Sequence, residues 1–542
     1  MQPYSSLIST TSESFDQRRQ GMLERVRELR ALEQRAADQS ARAKPIFDKR
    51  GALLPRERVA RLLDPGQTFL PIATLAGYAM DEPDPAKVVP GGALVAGIGF
   101  VRGVRCMVVA NDSGIDAGAI TESGNLKFQR CQDLALENKL PFIQLVESAG
   151  ANLLKYRVDK FVRGGAIFYK LARLSAAGIP VITVVHGSST AGGAYMPGLS
   201  DVVVMVRNQA KAFLAGPPLL KAATGEIATD EELGGTDMHA SVSGLADYVA
   251  EDDAHAIELA RDIVAGLDWN RAAAARPAPG TEPEPPLLPP DEIAGVMPLE
   301  HRQPVDMREV IARLVDGSRW LDFKPDYGLS TVCGHGRIEG HLCAFISNNG
   351  PIDPPGAAKA AQFIQLCNQS GTPIVFLQNT TGYIVGRASE EAGMIKHGSK
   401  MIQALSNSRV PQFTVHCGAS FGAGNYGMCG YAFKPRFAFT WPNARTAGMG
   451  GEQAATTMEI VARAQAARKG ATVDEAKLLA QKQAIIDNFE RQAGAFYTSG
   501  HVLDDGVIDP RDTRAVLAFA LATAREADAR TVRPVQFGVA RF

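Results

Sequence analysis

Two short glycine-rich passages hold the residues best suited to chemistry in this chain of 542 residues. The first runs Pro180-Val-Ile-Thr-Val-Val-His-Gly187 into Ser188-Ser-Thr-Ala-Gly-Gly-Ala-Tyr195. The second runs Pro411-Gln-Phe-Thr-Val-His-Cys-Gly418 into Ala419-Ser-Phe-Gly-Ala-Gly-Asn-Tyr426. Each reads as a buried apolar strand that closes in small residues and turns into a helix. Such a turn leaves backbone N–H groups without partners at a helix start, where they and the helix dipole stabilise negative charge. Ala191, Gly192 and Gly193 supply those groups in the first passage, and Gly422, Ala423 and Gly424 in the second. An enolate developing from a thioester needs preorganised donors of this kind in a dry pocket, so the expected chemistry is a pair of oxyanion holes. Glycines also serve tight turns and close helix packing without any chemistry. Packing alone, however, does not require the turn to recur in matched context through to Tyr195 and Tyr426.

The elements that must position these turns recur as well. Pro141-Phe-Ile-Gln-Leu-Val-Glu-Ser-Ala-Gly150 matches Pro373-Ile-Val-Phe-Leu-Gln-Asn-Thr-Thr-Gly382 in length and pattern, a short apolar strand closed by small polar residues and glycine. Helical stretches at 166–177 and 398–408 precede the two glycine-rich passages. Both halves therefore read helix, buried strand, glycine-rich turn and another helix, an α/β architecture used twice. Between about residues 272 and 295 the chain is rich in proline, whose missing amide donor and fixed φ forbid helix or central strand. That stretch divides the chain into domains of residues 1–290 and 291–542. Residues 17–42 are charged, carry leucines and have no glycine after Gly21, which predicts a solvated amphipathic helix packed along one stripe.

Composition narrows the function classes. Hydrophobic content of 45% and charged content of 21% predict a mostly folded globular chain. The 57 basic residues nearly balance the 58 acidic ones, which gives no bulk reason to expect nucleic acid or an anionic membrane as partner. Seven scattered cysteines, with no C-x-x-C pair, read as reduced core thiols and exclude a zinc ribbon or a disulfide framework. No metal is expected. The first 16 residues lack a secretory signal's basic start and apolar core, and no stretch suits a bilayer span. The expected location is a bacterial-type cytoplasm, with the mitochondrial matrix as the alternative.

Other side chains carry weaker signals. Arg56 and Arg58 could reach an anionic ligand, yet a charged helix start after Pro55 more often forms a solvated face. Lys127 and Lys359 follow strand-end loops where a phosphate could sit, and Lys221 and Glu226 stay unassigned. His186 and His416 read as satisfied core histidines. Gly418-Ala-Ser-Phe-Gly422 matches the nucleophile elbow of serine hydrolases with Ser420 as nucleophile, but a hydrolase gives no reason for a second oxyanion turn. A non-catalytic scaffold for CoA esters is the other rival, and it needs one anion site rather than two.

Over nearly its whole length the chain resembles the carboxyltransferase subunits of biotin-dependent acyl-CoA carboxylases. The passages that look like the branch containing methylcrotonyl-CoA and geranyl-CoA carboxylases are Gly51-Ala-Leu-Leu-Pro-Arg-Glu-Arg-Val59, Ser189-Thr-Ala-Gly-Gly-Ala-Tyr195, Phe213-Leu-Ala-Gly-Pro-Pro218, Lys221-Ala-Ala-Thr-Gly-Glu226, Phe363-Ile-Gln-Leu-Cys367, Gly422-Ala-Gly-Asn-Tyr-Gly-Met-Cys-Gly430 and Met449-Gly-Gly-Glu-Gln453. It departs from the propionyl-CoA branch at both turns and lacks the zinc-binding cysteines of the bacterial acetyl-CoA branch. The resemblance implies two tandem crotonase-like domains. It also implies that Gly192 and Gly193 hold the acyl thioester oxygen while Ala423 and Gly424 hold the ureido oxygen of biotin, with Ala191 and Tyr195 beside the substrate and Phe421 and Gly422 beside biotin. Carboxybiotin then supplies both the carboxyl group and the base. The chain has no Met-Lys-Met acceptor and no ATP-binding glycine loop, so the biotin and the use of ATP and bicarbonate fall to a partner α subunit. By the same resemblance the assembly is a β-subunit hexamer within an α6β6 complex.

Where methylcrotonyl enzymes resemble His-Phe-Gly-Arg-Ile-Phe, this chain reads Arg163-Gly-Gly-Ala-Ile-Phe168, which sets Gly164, followed by Gly165, against a bulky aromatic. The preceding loop, residues 152–161, departs from the family's acidic, proline-bearing version. The loss of a phenyl ring opens apolar volume, and the expected substrate is geranyl-CoA, with 3-methylcrotonyl-CoA as the alternative.

Overall fold

In the computed structural model the described residues are 2–82, 84–150, 157–272, 282–470 and 472–535. The chain divides into two compact units. One comprises Arg30–Arg276, Gly500–Val502 and Thr523–Phe542, and the other Met1–Leu29, Pro277–Ser499 and Leu503–Ala522.

The first unit holds a sheet of eight strands: β1 (Leu70–Pro71), β2 (Leu94–Val101), β3 (Val104–Asn111), β4 (Phe142–Ser148), β5 (Val181–Thr190), β6 (Val202–Val206), β7 (Lys211–Phe213) and β8 (Tyr248–Ala250). Its order is β1-β2-β3-β4-β5-β6-β8, with β7 pairing the end of β5. The β1-β2-β3 ladder is antiparallel and every later pairing is parallel. All seven residues of β4 are buried, as expected of a parallel strand covered on both faces.

The second unit repeats this plan with β9 (Trp320–Asp322), β10 (Thr331–Ile338), β11 (His341–Asn348), β12 (Ile374–Thr380), β13 (Gln412–Phe421), β14 (Phe437–Thr440) and β15 (Arg445–Ala447). The order is β14-β13-β12-β11-β10-β9, with β15 pairing the end of β13. Again one antiparallel ladder, β9-β10-β11, precedes parallel pairings. The internal repeat read from the sequence is thus a repeat of sheet topology, and both units are α/β.

The helices that cover the sheets begin alike. Helix Glu122–Glu137 is capped by Thr121, whose Oγ1 accepts from Gly124 N at 2.9 Å. Helix Pro354–Ser370 is capped by Asp353, whose Oδ1 accepts from Gly356 N at 2.8 Å. Each cap satisfies one of the amide donors that a helix start leaves orphaned. The helices predicted before the two turns are Ala166–Ala176 and Met394–Ser406. The amphipathic N-terminal helix is Glu13–Ala41, burying Met22, Val26, Leu29, Leu32 and Ala36 on one stripe.

Two details differ from the sequence reading. Part of the proline-rich stretch, residues 273–281, lies outside the described residues. Its last part is not open linker, because Pro290–Glu292 forms a 3₁₀ turn and Ile293–Val296 a buried helical turn once the run of prolines ends. The elements after the glycine-rich turns are also shorter than expected. The first is a 3₁₀ turn, Ala191–Ala194, then Tyr195–Gly198, and the second is Gly422–Gly427. Helices this short align few peptide dipoles, so the expected help from a helix macrodipole is small and the turn's own N–H groups are left as the donors. No described helix is long and apolar enough to cross a membrane. All seven cysteines are buried and none forms a disulfide.

Candidate active site

The two turns share their backbone plan up to their first residues. On the strand side, the β4-β5 register slips between Val146 and Ser148, so that Ser148 faces Ser189. The β12-β13 register slips at the corresponding place, between Gln378 and Thr380, so that Thr380 faces Ser420. A bulge of this kind re-aims the end of a strand. Just after the slip, Gly150 (φ 81) approaches Thr190 O so closely that a Cβ there would lie 3.2 Å from it. Gly382 (φ 118) approaches Phe421 O in the same way, at 3.4 Å. The first residues of the two turns, Ala191 (φ 54) and Gly422 (φ 55), share a left-handed conformation that a residue with a Cβ adopts only at a cost. In both turns the next N–H groups, those of Gly192 and Gly193 and of Ala423 and Gly424, sit in a first helical turn, where no intrahelical acceptor is available.

In the first unit, Gly193 lines a pocket with Gly92, Leu94, Asn125, Phe128 and Ile167. Next to Ile167 in sequence, Phe168 meets Tyr195 edge-on at 5.6 Å and would touch a Cβ placed on Gly192 at 3.4 Å. Gly164 ends the helix Val158–Gly164, and Gly165 joins it to Ala166–Ala176. The Gly164 carbonyl accepts from Asn125 Nδ2 at 3.2 Å, and a Cβ on Gly164 would lie 3.2 Å from the same nitrogen. Gly164 therefore adjoins a side chain of the pocket wall, while Gly165 is exposed. Residues 152–156 of the divergent loop lie outside the described residues.

In the second unit, Gly424 packs so tightly that a Cβ would lie 2.8 Å from Gly382 Cα and 3.0 Å from Thr380 Cγ2. Phe421 is buried and meets the His301 ring edge-on at 5.3 Å. Burial, followed by the charges of Arg445 and Arg302, lowers the His301 pKa, so that ring favours the neutral form. Ala423 is exposed and Tyr426 half-exposed at the mouth of the turn. Consecutive N–H groups of this kind suit a small anionic oxygen such as that of a ureido group.

Several charged residues have structural roles instead. Arg58 is buried and binds Glu147 (2.7 Å) and Asp253 (3.0 Å), with Arg50 adding a second contact to Glu147 at 2.5 Å. Arg56 pairs with Asp112 at 3.3 Å. Lys127 and Lys359 are buried and donate to backbone carbonyls, Lys127 to Gly91 O and Leu94 O and Lys359 to Tyr327 O. His186 is fully buried, its Nδ1 2.6 Å from Asp253 Oδ1. Burial alone would raise the Asp253 carboxyl, but the bond from His186 and the charge of Arg58 outweigh it and hold it at about 2. His416 is buried and pushed down to about 4 by desolvation, with Nδ1 3.2 Å from Thr440 Oγ1. Both histidines are core residues, as predicted, but His186 is satisfied only in part, because its buried Nε2 has no hydrogen-bond partner among the described residues. Ser420 is completely buried, donates to Gln378 Oε1 at 2.5 Å and accepts from Asn425 Nδ2 at 2.7 Å, which leaves no nucleophile elbow. Sequence reasoning missed the bulge residues and the roles of Gly150 and Gly382, although both glycines closed the strand passages that revealed the repeat.

Doubled α/β sheets, each ending a strand in a glycine-rich turn, are the architecture of carboxyltransferases of crotonase-like fold. The chain belongs to the carboxyl transferase domain family, whose pattern matches residues 48–537, as the carboxyltransferase component of a biotin-dependent acyl-CoA carboxylase. It is 50% identical over 474 residues to a probable biotin-dependent acyl-coenzyme A carboxylase beta2 subunit of Mycobacterium tuberculosis, covering 87% of this chain and 88% of that protein. It is 46% identical over 477 residues to the mitochondrial methylcrotonoyl-CoA carboxylase beta chain of Dictyostelium discoideum, covering 87% and 80%. Among solved structures, the beta subunit of P. aeruginosa geranyl-CoA carboxylase superposes with a TM-score of 0.92 at 51% identity, over 100% of both chains.

Proposed function

We propose that this chain moves a carboxyl group from carboxybiotin, presented by a partner α subunit, to a branched 2-enoyl-CoA, with geranyl-CoA as substrate. The observation that carries the reading is the backbone duplication of the two turns, with φ of 54 and 55 at their first residues and the same register slip before them. One turn would suffice to bind a thioester. Two answer a reaction in which both donor and acceptor develop an oxyanion.

In this reading Gly192 and Gly193 donate to the thioester oxygen as the substrate becomes a dienolate, with Ala191 and Tyr195 at the turn's mouth. Ala423 and Gly424 donate to the ureido oxygen, between Gly422 and Phe421. Bound biotin supplies the carboxyl group and a nitrogen able to take the substrate proton. The chain's own task is to hold both anions on backbone donors and to exclude water, and no side-chain base is needed. Geranyl-CoA is favoured because Gly164, beside the pocket residue Asn125, carries no side chain where the methylcrotonyl pattern has an aromatic, and because the geranyl-CoA carboxylase subunit is similar throughout. The methylcrotonoyl-CoA carboxylase relatives make 3-methylcrotonyl-CoA the second candidate. The partner carries biotin and uses ATP and bicarbonate. The proposed assembly is a β6 core in an α6β6 complex, in a bacterial cytoplasm.

The test is fixation of radiolabelled bicarbonate by the chain with a biotinylated α subunit and ATP, comparing the two acyl-CoA esters. A higher kcat/KM for geranyl-CoA is expected. Preference for 3-methylcrotonyl-CoA would refute the substrate reading alone, and fixation on neither would refute the transfer.

A further inference from the structure

Behind the pocket that Gly193 lines, residues Gly91, Gly92 and Ala93 have φ of 104, 62 and 52. Three consecutive residues in the left-handed region make an unusual turn, and Ala93 has a Cβ that opposes it. The turn is also pressed against the helix beneath, since a Cβ on Gly92 would lie 2.7 Å from both N and Cα of Gly124. Gly92, Ala93 and Leu94 form part of the pocket wall, and Gly124 and Asn125 line it too.

The Lys127 side chain is only 2% exposed, and its Nζ reaches both ends of this turn, 3.2 Å from Gly91 O and 2.8 Å from Leu94 O. A buried ammonium is costly unless its donors are met, so a lysine placed here on two carbonyls holds those carbonyls as firmly as they hold it. Burial moves its pKa down to about 8, with the charges of Cys131, Arg56 and Asp112 as lesser influences. The second unit carries a simpler counterpart, with one carbonyl and one left-handed residue. Lys359, buried on helix Pro354–Ser370, donates to Tyr327 O at 3.0 Å. The next residue, Gly328 (φ 57), packs against Gly356 with a Cβ distance of 2.8 Å to its N and Cα. Only the first-unit lysine holds carbonyls on the wall of the pocket that Gly193 lines, since Gly92, Ala93 and Leu94 all face that pocket.

We infer that Lys127 is a positioning residue for acyl-CoA: its buried ammonium clamps the left-handed turn Gly91–Gly92–Ala93 and so fixes the pocket wall against which the acyl chain lies. The inference rests on the acyl-pocket reading above. Lys127 touches neither substrate nor reacting atoms in this role, and its effect passes through the backbone of the turn.

The test uses the full chain with its biotinylated partner, comparing wild type, Lys127→Met, Ala93→Gly and the double variant on geranyl-CoA and 3-methylcrotonyl-CoA. Lys127→Met should lower kcat/KM for the preferred ester by roughly 10- to 100-fold, mostly through KM. Adding Ala93→Gly removes the Cβ that opposes the turn and should recover much of the KM; because relieving this φ also stabilises the fold, Ala191→Gly, which relieves the same strain away from the clamp, is added to Lys127→Met in parallel and should leave the raised KM unchanged. If Lys127→Met fails to fold, Ala93→Val, which loads the turn from the other side, must raise KM in its place. An unmoved KM in the folded variant, or a raised one that Ala93→Gly leaves unchanged, overturns the clamp alone. Wild type that fixes bicarbonate on neither ester overturns the transfer reading, and the clamp with it.

Discussion

Replacing Gly164 with phenylalanine tests the acyl pocket most directly. The new Cβ would start 3.2 Å from Asn125 Nδ2, so the ring must either displace that side chain, a part of the pocket wall, or swing away toward solvent. Geranyl-CoA exceeds 3-methylcrotonyl-CoA by about five carbon atoms, each contributing about 0.8 kcal/mol when buried. Complete burial of that tail would be worth about 4 kcal/mol, a roughly thousandfold preference, and half burial about 2 kcal/mol, or roughly thirtyfold. Gly164→Phe should therefore lower kcat/KM for geranyl-CoA by roughly 30- to 1000-fold while changing that for the shorter ester much less. Initial rates of labelled bicarbonate fixation, measured on both esters with the assembled holoenzyme, give the ratio. Full geranyl-CoA activity in the variant would refute the reasoning, because the glycine would then border no part of the tail's path.

Other changes probe the turns and the core. Gly424→Ala places a Cβ 2.8 Å from Gly382 Cα, so transfer should fall by roughly a hundredfold or more while ATP-dependent carboxylation of biotin on the partner continues. Loss of both activities would point to misassembly instead. Ala191→Gly relieves a left-handed φ of 54 and should raise unfolding stability by about 1 kcal/mol, read as a higher denaturant midpoint. His416 titrates near 4 when folded against an ordinary value of 6.5. Below 6.5 the unfolded chain binds a proton that the folded chain refuses, so its contribution to stability is full above 6.5 and is lost as pH falls toward 4. The loss amounts to about 3 kcal/mol, and His416→Phe should flatten that part of the acid-unfolding curve. Arg58→Met leaves Glu147 and Asp253 buried without their shared cation and should cost about 3–5 kcal/mol, measurable by urea denaturation.

Much of this architecture could be read before folding because its signals are local. Proline opens β4's and β5's passages, β-branched residues fill them, and glycine ends them, so strand, turn and repeat all lie within windows of a few residues. The Arg58 network could not be read that way. A basic residue in Pro-Arg-Glu-Arg looks solvated until Glu147 and Asp253, distant in sequence, are brought to it by the sheet. Lys127 posed a harder case, because a lysine near a strand end suits a phosphate as well as a carbonyl. The repeat itself held the missing signal: Lys127 stands to Gly150 as Lys359 stands to Gly382, a pairing that a surface phosphate contact has no reason to duplicate.

What the two halves share and where they part also separates the chemistry from its ligands. Backbone features recur: the register slip, the close approach of Gly150 and Gly382, and the left-handed start at Ala191 and Gly422. The side chains around them diverge. Glu147, bound by Arg50 and Arg58 behind the first turn, stands where the second half has Asn379, beside a small cavity lined by Asn443 and His301. His186 stands where the second half has Cys417. A geometry kept twice on different side chains must serve something common to both sites, and holding an oxyanion on backbone donors is such a task. On the proposed function, the divergent surroundings are the place to look for what would make one site take a thioester and the other a ureido group, and Glu147→Asn should disturb only the first.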